Sequence, residues 1–303
     1  MNRKLKVLVG KTFGLGNMCM SIPMIKAIKS TMKEGDILDL LIGTTPDDGG
    51  AFDVAKHLKE SGIINNIWFD SAAGIGPYDF AIMSIPFDGR WRNGTHFNAK
   101  VVLDGRTRPD PSTTGLVSWK KHEIEYQMEN AYELGYEGPV PDMSFYPESP
   151  KQDHKIYLGV GYKKDKANFW SAKHWGNKNF SWFVKIILHD DEVVVTTTGN
   201  ILDWNFVISK IKSEVDESRF ETKISNLDEA FKEISTCSLY VGNDTGMMHV
   251  AASMGIPCIS VFNLVNSYTK NRPWGNEKHL VVDGTVIDDT WPVVIDYARE
   301  LLR

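Results

Sequence analysis

The chain has 303 residues, which at about 150 residues per domain predicts two domains. Its composition, 42% hydrophobic and 24% charged, excludes a disordered polymer and a small disulfide-bonded scaffold. A formal net charge of -5 and a pI of about 5.9 argue against a general nucleic-acid binder, because such proteins are usually basic.

The apolar runs and the cysteines indicate a cytoplasmic protein. No apolar run approaches the roughly 20 residues that span a bilayer, and the first residues lead directly into a strand-like run, so we expect no signal peptide. The three cysteines are far apart and odd in number, which predicts free thiols in a reducing compartment. The three cysteines are Cys19, Cys237 and Cys258. None of them lies at metal-ligand spacing from another Cys or from a His.

The first half alternates short apolar runs with amphipathic stretches. Near-continuous apolar runs are typical of parallel strands that are covered on both faces. The first helix is predicted to begin at Ser21 as N-cap with Pro23 in its first turn, and the second to end at Gly135. The predicted strands are 6–10, 37–43, 66–70, 79–85 and 100–105.

The second half repeats this rhythm after a segment with four prolines, 137–153, which predicts a linker and a domain boundary near residue 150. Its predicted strands are 155–161, 192–198, 238–243, 258–263 and 279–283, and its predicted helices lie near 178–189, 203–214, 226–235, 246–254 and 288–303. Two successive halves of this kind predict an α/β protein with two Rossmann-like domains, 1–150 and 151–303, facing a central cleft. Ligands of such sheets bind at the carboxyl ends of the strands.

The loop after the first strand contains Gly14 and Gly16, followed by Asn17. The glycines allow a tight turn and the close approach of a ligand, and the helix that follows offers free N–H groups. A third glycine of the dinucleotide fingerprint is missing. A strand–helix turn without a ligand role therefore remains an alternative.

The segment VGNDTGMMH, 241–249, is the most informative motif. Asp244 and Thr245 are good N-cap residues, Gly246 allows close approach, and the helix N-terminus suits a diphosphate. His249 lies one turn after Thr245 and is placed to point toward the same site. The carboxylate of Asp244 would repel a diphosphate, which leaves helix capping or a sugar hydroxyl as its role. Plain capping and a buried core histidine remain the alternatives.

Lysines follow the first strand of the second half, and in a loop opposite a helix N-terminus they can neutralise a phosphate. Lys173 is the preferred candidate, and Trp175 is expected to pack and fix the loop. A solvated surface position is the alternative for each lysine of this segment: Lys163, Lys164, Lys166, Lys173 and Lys178.

Four segments, in this order, resemble glycosyltransferase family 9, the heptosyltransferases of lipopolysaccharide core assembly and their relatives: GLGNMCMSIPMIKAIKS, KHEIEYQMENAYELG, KHWGNKNFSWF and VGNDTGMMHVAASMGIPCISVF. The resemblance implies a GT-B fold whose C-terminal domain holds the donor and whose N-terminal domain holds the acceptor. It also implies inverting transfer from a nucleoside diphospho-sugar, with ADP-heptose as the family default, to a glycan or glycolipid acceptor. No obligatory metal is implied.

The resemblance also assigns residues. Lys173 resembles the lysine that contacts the donor diphosphate, and Asn17 with Gly16 matches the loop that meets the acceptor and the donor sugar. Asp203 is expected at the ribose and Ile224 at the nucleobase. The expected donor residues are Gly161, Lys173, Asp203, Ile224, Asp244, Thr245, Gly246, Met247 and His249, and the expected acceptor residues are Gly14, Gly16, Asn17, Arg90, Arg106 and His122.

One position departs from the family pattern. Heptosyltransferases usually have Asp, the proposed catalytic base, where this chain has Asn17. A neutral amide cannot take a proton from an acceptor hydroxyl. Three alternatives follow: another group is the base, Asn17 positions the acceptor and the base is dispensable, or transfer is lost. Asp88 is the first replacement, before Asp47, Asp48 and His122, so the expected catalytic set is Asn17, Asp88, Lys173 and Asp244. Arg90, Arg92, Arg106 and Arg108 are candidates for an anionic acceptor.

Other functions remain open. The acceptor could be a capsule sugar, a protein or a modified DNA base, although the acidic charge speaks against DNA. A nucleotide-sugar epimerase or hydrolase would share the fold, and an inactive nucleotide-sugar binder would fit Asn17. A basic or aromatic patch would still permit peripheral membrane contact.

Overall fold

The computed structural model describes residues 3–10, 14–42, 50–69, 75–83, 97–104, 121–161, 173–201, 204–215, 218–263, 267–285 and 290–303. The chain divides into two compact units, Met1–Phe145 and Tyr146–Arg303, with the division a few residues before position 150. Each unit is a parallel sheet with helices, so the predicted α/β class is confirmed.

The N-terminal unit contains a parallel sheet of order β3-β2-β1-β4-β5. The central strands are apolar and buried, as the sequence predicts for strands covered on both faces. Its strands are β1 (Lys6–Gly10), β2 (Ile37–Ile42), β3 (Asn66–Phe69), β4 (Ile75–Met83) and β5 (Phe97–Asp104), and its helices are α1 (Leu15–Thr31), α2 (Ala51–Glu60) and α3 (Glu123–Glu133).

The predicted start of the first helix is wrong. Helix α1 begins at Leu15, directly after Gly14, whose φ of 93° is a conformation that favours glycine. Ser21 lies inside the helix, where its hydroxyl donates to the Asn17 carbonyl at 3.0 Å, and Pro23 lies in the helix interior. Most of α1 is buried, so no single apolar stripe marks its beginning in the sequence.

The C-terminal unit contains a parallel sheet of order β11-β10-β9-β6-β7-β8. This is the strand order of dinucleotide-binding sheets, in which the direction of winding reverses between the first and fourth strands, here β6 and β9. Its strands are β6 (Gln152–Gly159), β7 (Val194–Gly199), β8 (Phe220–Ile224), β9 (Cys237–Asn243), β10 (Cys258–Phe262) and β11 (Leu280–Asp283). Its helices are α4 (Asn177–Ile187), α5 (Ser209–Glu214), α6 (Leu227–Ser235), α7 (Gly246–Ser253), α8 (Ser267–Asn271) and α9 (Trp291–Leu302), with a π-helical turn (Trp204–Ile208) before α5.

The sequence analysis did not indicate three of the elements of the two units: helix α2, strand β8 and the short helix α8. Strand β8 is an edge strand whose sequence, FETKI, carries a glutamate and a lysine and is only partly buried. Such a strand lacks the continuous apolar run that marks a strand in the middle of a parallel sheet.

Two further expectations concern the thiols and the bilayer. The three cysteines are free and buried, which confirms the expected free thiols. Within the described residues, no helix combines the length and the apolar character that crossing a membrane requires.

Candidate functional site

Three segments meet at the carboxyl ends of β6 and β9, where the winding of the second sheet reverses. Gly161 follows β6, Lys173 to Gly176 lead into α4, and Asp244 and Thr245 join β9 to α7. Sheets of this type bind ligands at this point, because the loops from the two strands separate there. The geometry therefore supports the position that the sequence motifs predict.

Asn243 joins the three segments. It is fully buried as the last residue of β9, and its side-chain oxygen accepts a hydrogen bond from the Trp175 backbone N–H at 2.8 Å. Its side-chain nitrogen donates to the carbonyls of Val160 at 3.5 Å and Gly161 at 3.3 Å. One amide thus satisfies backbone groups of two loops that would otherwise be buried without partners.

Trp175 anchors the segment that carries Lys173. Its side chain is 3% exposed and meets Phe180 edge-on at a centroid distance of 5.0 Å. Its indole N–H donates to the Thr290 hydroxyl at 2.5 Å, and its carbonyl accepts from Asn179 at 2.8 Å. The prediction that Trp175 packs and fixes this loop is confirmed.

His174, between Lys173 and Trp175, is held in its neutral form. Burial lowers the pKa of His174 to about 4. Its Nδ1 accepts a hydrogen bond from the Gly176 backbone N–H at 3.2 Å, which requires an unprotonated nitrogen, and its carbonyl accepts from Asn263 at 2.7 Å. The segment that directly follows Lys173 is therefore fixed by uncharged contacts, and Lys173 supplies its positive charge.

Lys173 and Asp244 form an ion pair within this site. The side chain of Lys173 is 12% exposed and that of Asp244 is 4% exposed, so the pair lies largely out of water. Asp244 directly precedes Thr245, the N-cap residue of α7. The pair therefore holds an ammonium group next to the N-terminus of a helix.

Thr245 takes the N-cap position of α7 that the motif predicts, whereas Asp244 pairs with Lys173. The Thr245 side chain makes no capping hydrogen bond to α7. The first N–H groups of an α-helix have no partner within the helix, and they carry the positive end of its dipole. Thr245, Gly246 and Met247 are partly exposed, so these groups can bind an anion.

The remaining donor candidates lie at different depths. His249 is one turn further along α7 and is 3% exposed, and Ile224, which ends β8, is 48% exposed. Asp203 lies outside the described residues. The donor roles of all three stay predictions.

In the N-terminal unit, Gly16 and Asn17 lie in the first turn of α1 after Gly14. His122 has no exposed surface and is the N-cap of α3: its Nδ1 accepts from the Ile124 N–H at 3.2 Å, and its own N–H donates to Glu125 at 2.7 Å. Contact between the His122 ring and an acceptor would require the ring to leave this cap. The other candidates of this unit lie outside the described residues: Asp47, Asp48, Asp88, Arg90, Arg92, Arg106 and Arg108.

Sequence reasoning missed Asn243 and a pair of tyrosines, Tyr157 and Tyr240, in β6 and β9. The sequence analysis predicts Asn243 only as the end of a strand, although a buried amide at such a position needs hydrogen-bond partners and is therefore a signal in itself. The tyrosines stand in two copies of a Tyr-x-Gly pattern, YLG at 157–159 and YVG at 240–242, which is visible in the sequence.

In the part of the chain that the structure describes, no three His, Cys, Asp or Glu side chains are grouped as a metal site would need.

Comparison with known proteins shows what the second unit resembles. Residues 145–286 match the family model for Glycosyltransferase family 9 (heptosyltransferase). A segment of 121 residues is 24% identical to lipooligosaccharide heptosyltransferase 2 of Campylobacter jejuni and spans 38% of this chain and 37% of that relative.

Solved structures extend the similarity to the whole chain. The ADP-heptose lipopolysaccharide heptosyltransferase II of E. coli has a TM-score of 0.71 at 17% identity, and 98% of each chain is covered. E. coli heptosyltransferase WaaC with ADP-2-deoxy-2-fluoro heptose has a TM-score of 0.72 at 15% identity, covering 98% of this chain and 99% of that one. The chain therefore has the GT-B fold of these proteins. The resemblance to family 9 is confirmed.

Proposed function

With a glycosyltransferase family 9 domain in the C-terminal unit as the premise, we propose that this chain moves a sugar from a nucleoside diphospho-sugar to a glycan acceptor. The C-terminal unit is the donor domain and the N-terminal unit the acceptor domain. One observation carries the proposal: Asp244 holds the Lys173 ammonium group beside the N-terminus of α7, where the Thr245 side chain makes no capping hydrogen bond.

The donor diphosphate binds at the N-terminus of α7. Its oxygens accept hydrogen bonds from the N–H groups around Gly246 and Met247 and from the Thr245 hydroxyl, and the Lys173 ammonium group neutralises charge. Asp244 keeps Lys173 in place, and its carboxylate can accept a hydrogen bond from a sugar hydroxyl. Gly161, on the loop across from α7, lets the donor approach the backbone.

Transfer is a single displacement with inversion. The acceptor hydroxyl attacks the anomeric carbon, the bond from that carbon to the diphosphate oxygen breaks, and the nucleoside diphosphate leaves with the electron pair. Lys173 and the α7 N–H groups stabilise the charge that develops on the leaving group, and losing one such donor typically costs about 3 kcal/mol in the barrier.

A group other than Asn17 accepts the proton of the acceptor hydroxyl, because a neutral amide cannot. Asp88 is the proposed base, with Asn17 hydrogen-bonding the acceptor. Under this assignment Asp88→Asn lowers kcat and leaves donor affinity unchanged, whereas Asn17→Ala raises KM for the acceptor. Full kcat in the Asp88→Asn variant would remove Asp88 from the mechanism.

The proposed donor is ADP-heptose and the proposed acceptor is the lipopolysaccharide core. Support comes from the names of the similar proteins, a lipooligosaccharide heptosyltransferase and an ADP-heptose lipopolysaccharide heptosyltransferase. Transfer to a capsule sugar, a protein or a modified DNA base is the second candidate. It would take the same donor site.

We place the protein in the cytoplasm, at the membrane surface. The buried free thiols fit a reducing compartment. On α4 and α9, Trp182 stacks on Trp291 at 5.7 Å, the Lys185 ammonium group lies 5.1 Å from the Trp182 ring centre, and Trp182 is 38% exposed. Tryptophan and lysine together suit a lipid headgroup layer. Loss of vesicle co-sedimentation in a Trp182→Ala variant would support this surface, and unchanged sedimentation would refute it.

The decisive experiment is a transfer assay with ADP-heptose and heptose-free lipopolysaccharide core, measured as ADP release and as acceptor mass. Wild type should transfer one heptose, and EDTA should not reduce the rate, since metal-independent transfer is proposed. Lys173→Met should lower the transfer rate at least about 100-fold. Lys178→Met, an exposed lysine in the first turn of α4, is the matched control and should keep it. ADP release without acceptor modification would instead indicate a hydrolase, and donor binding without turnover an inactive binder.

A further inference from the structure

The two central strands of the C-terminal sheet, β6 and β9, each carry a Tyr-x-Gly pattern, and the two copies are in register. Tyr157 lies opposite Tyr240, and Gly159 lies opposite Gly242, in the register of β6 and β9. The strands are parallel, so both tyrosines precede their glycines on the path to the carboxyl ends. The pattern therefore ends directly below the loops of the proposed donor site.

The glycines make room for the Tyr240 ring. A methyl group on Gly159 would collide with the Tyr240 hydroxyl oxygen, and one on Gly242 would lie 2.8 Å from that oxygen. The Tyr157 ring stacks on the Tyr240 ring at 6.0 Å with an interplanar angle of 14°, and Tyr157 and Tyr240 are 1% and 0% exposed. The position of the Tyr240 hydroxyl is therefore fixed from two sides.

The two hydroxyls point to different partners. The Tyr157 hydroxyl lies 2.6 Å from the Thr198 hydroxyl, near the end of β7. The Tyr240 hydroxyl lies 3.5 Å from the Thr245 hydroxyl, and within the described residues this is its recorded hydrogen-bond partner. Burial raises the pKa of Tyr240, so its phenol stays protonated and can donate.

We propose that Tyr240 is a positioning residue for the donor diphosphate. Its phenol O–H donates to the Thr245 oxygen, which leaves the Thr245 hydrogen directed away from the sheet toward a phosphate oxygen at the N-terminus of α7. The two hydroxyl oxygens lie 3.5 Å apart, and we expect this contact to shorten when a phosphate oxygen accepts the Thr245 hydrogen. This inference rests on the proposed donor site.

The test is calorimetric titration with ADP and AMP. Tyr240→Phe keeps the ring and removes one hydroxyl, and it should weaken ADP binding about 5- to 10-fold, the loss expected for one hydrogen bond to a group that serves an anion. AMP, which lacks the second phosphate, should bind as to wild type. Tyr157→Phe is the matched control and should bind both nucleotides normally. Thermal unfolding of each variant checks that it is folded.

A double-mutant cycle shows whether the effect passes through Thr245. Thr245→Val alone should weaken ADP binding, and adding Tyr240→Phe to Thr245→Val should cause no further loss of affinity. Thr245→Ser keeps the hydroxyl, so in that background Tyr240→Phe should again weaken ADP binding. Unchanged ADP affinity in Tyr240→Phe, additive losses, or an equal loss in Tyr157→Phe would each overturn the proposal. If wild type binds neither ADP nor the diphosphates of uridine, guanosine, cytidine and thymidine, the donor site itself fails.

Discussion

Removing the Lys173 ammonium group should destabilise the C-terminal unit as well as its ligand binding. Asp244 is 4% exposed, and Lys173 is the ion-pair partner recorded for it among the described residues. The variant Lys173→Met leaves a buried carboxylate without its counter-ion. Breaking a buried pair by removing one partner costs about 3–5 kcal/mol, because the remaining charge cannot return to water.

Thermal unfolding measures this cost. One kcal/mol shifts Tm by roughly 2–4 °C in a unit of 150–250 residues, so Lys173→Met should lower Tm on the order of 10 °C. In Lys173→Met with Asp244→Asn no charge is left behind, and most of the stability should return. Lys178→Met is again the control and should leave Tm unchanged.

Asp244→Asn alone separates nucleotide binding, which needs the Lys173 ammonium group, from sugar transfer, which needs the Asp244 carboxylate. The amide that replaces the carboxylate can still accept a hydrogen bond from Lys173, and it carries no charge that repels a diphosphate. The variant should therefore bind ADP at least as tightly as wild type while sugar transfer falls. The reasoning is refuted if Lys173→Met unfolds within about 1 kcal/mol of wild type. It is also refuted if the double variant is as unstable as the single one.

Three other predictions follow from buried groups. Asn243→Ala should lower the free energy of unfolding by about 2 kcal/mol in a urea titration and weaken nucleotide binding, because backbone groups of both loops lose their partner. Burial lowers the pKa of His174 and of His279 to about 4, so the unfolded state binds more protons below about pH 6.5. Stability should therefore be full above pH 6.5 and fall as the pH drops toward 4, with a smaller slope in His174→Gln, whereas an identical slope would show that His174 titrates normally. Iodoacetamide at pH 8 should leave the three native thiols unlabelled and should label them in urea, because all three are buried. Burial also raises the pKa of the Cys237 thiol to about 12.

Much of the fold could be predicted from the sequence because central parallel strands are continuous apolar runs. Strand β1 has the predicted bounds, and β6 and β9 differ by a few residues. The start of α1 could not be predicted, since a helix buried on most sides shows no stripe and its N-cap is Gly14 rather than a polar residue. The edge strand β8 was missed because its charged residues look like a loop.

The part of the candidate site that lies within one continuous segment of the sequence could be predicted. The motif around Asp244 and Thr245 indicated a helix N-terminus, and the structure places one there. The pairing of Lys173 with Asp244 was not predictable, because the two residues are 71 positions apart and their contact depends on the fold. The contact between Tyr240 and Thr245 likewise depends on glycines in two different strands.

The central claim is that the C-terminal unit binds a nucleoside diphosphate through Lys173 and the N-terminus of α7. The most direct test is calorimetry with ADP, UDP, GDP, CDP and dTDP, with and without EDTA, on wild type and Lys173→Met. We expect one diphosphate, ADP first, to bind wild type equally well with EDTA and to bind Lys173→Met at least tenfold more weakly. Equal affinity of both proteins, or no binding of any diphosphate to wild type, would contradict the account.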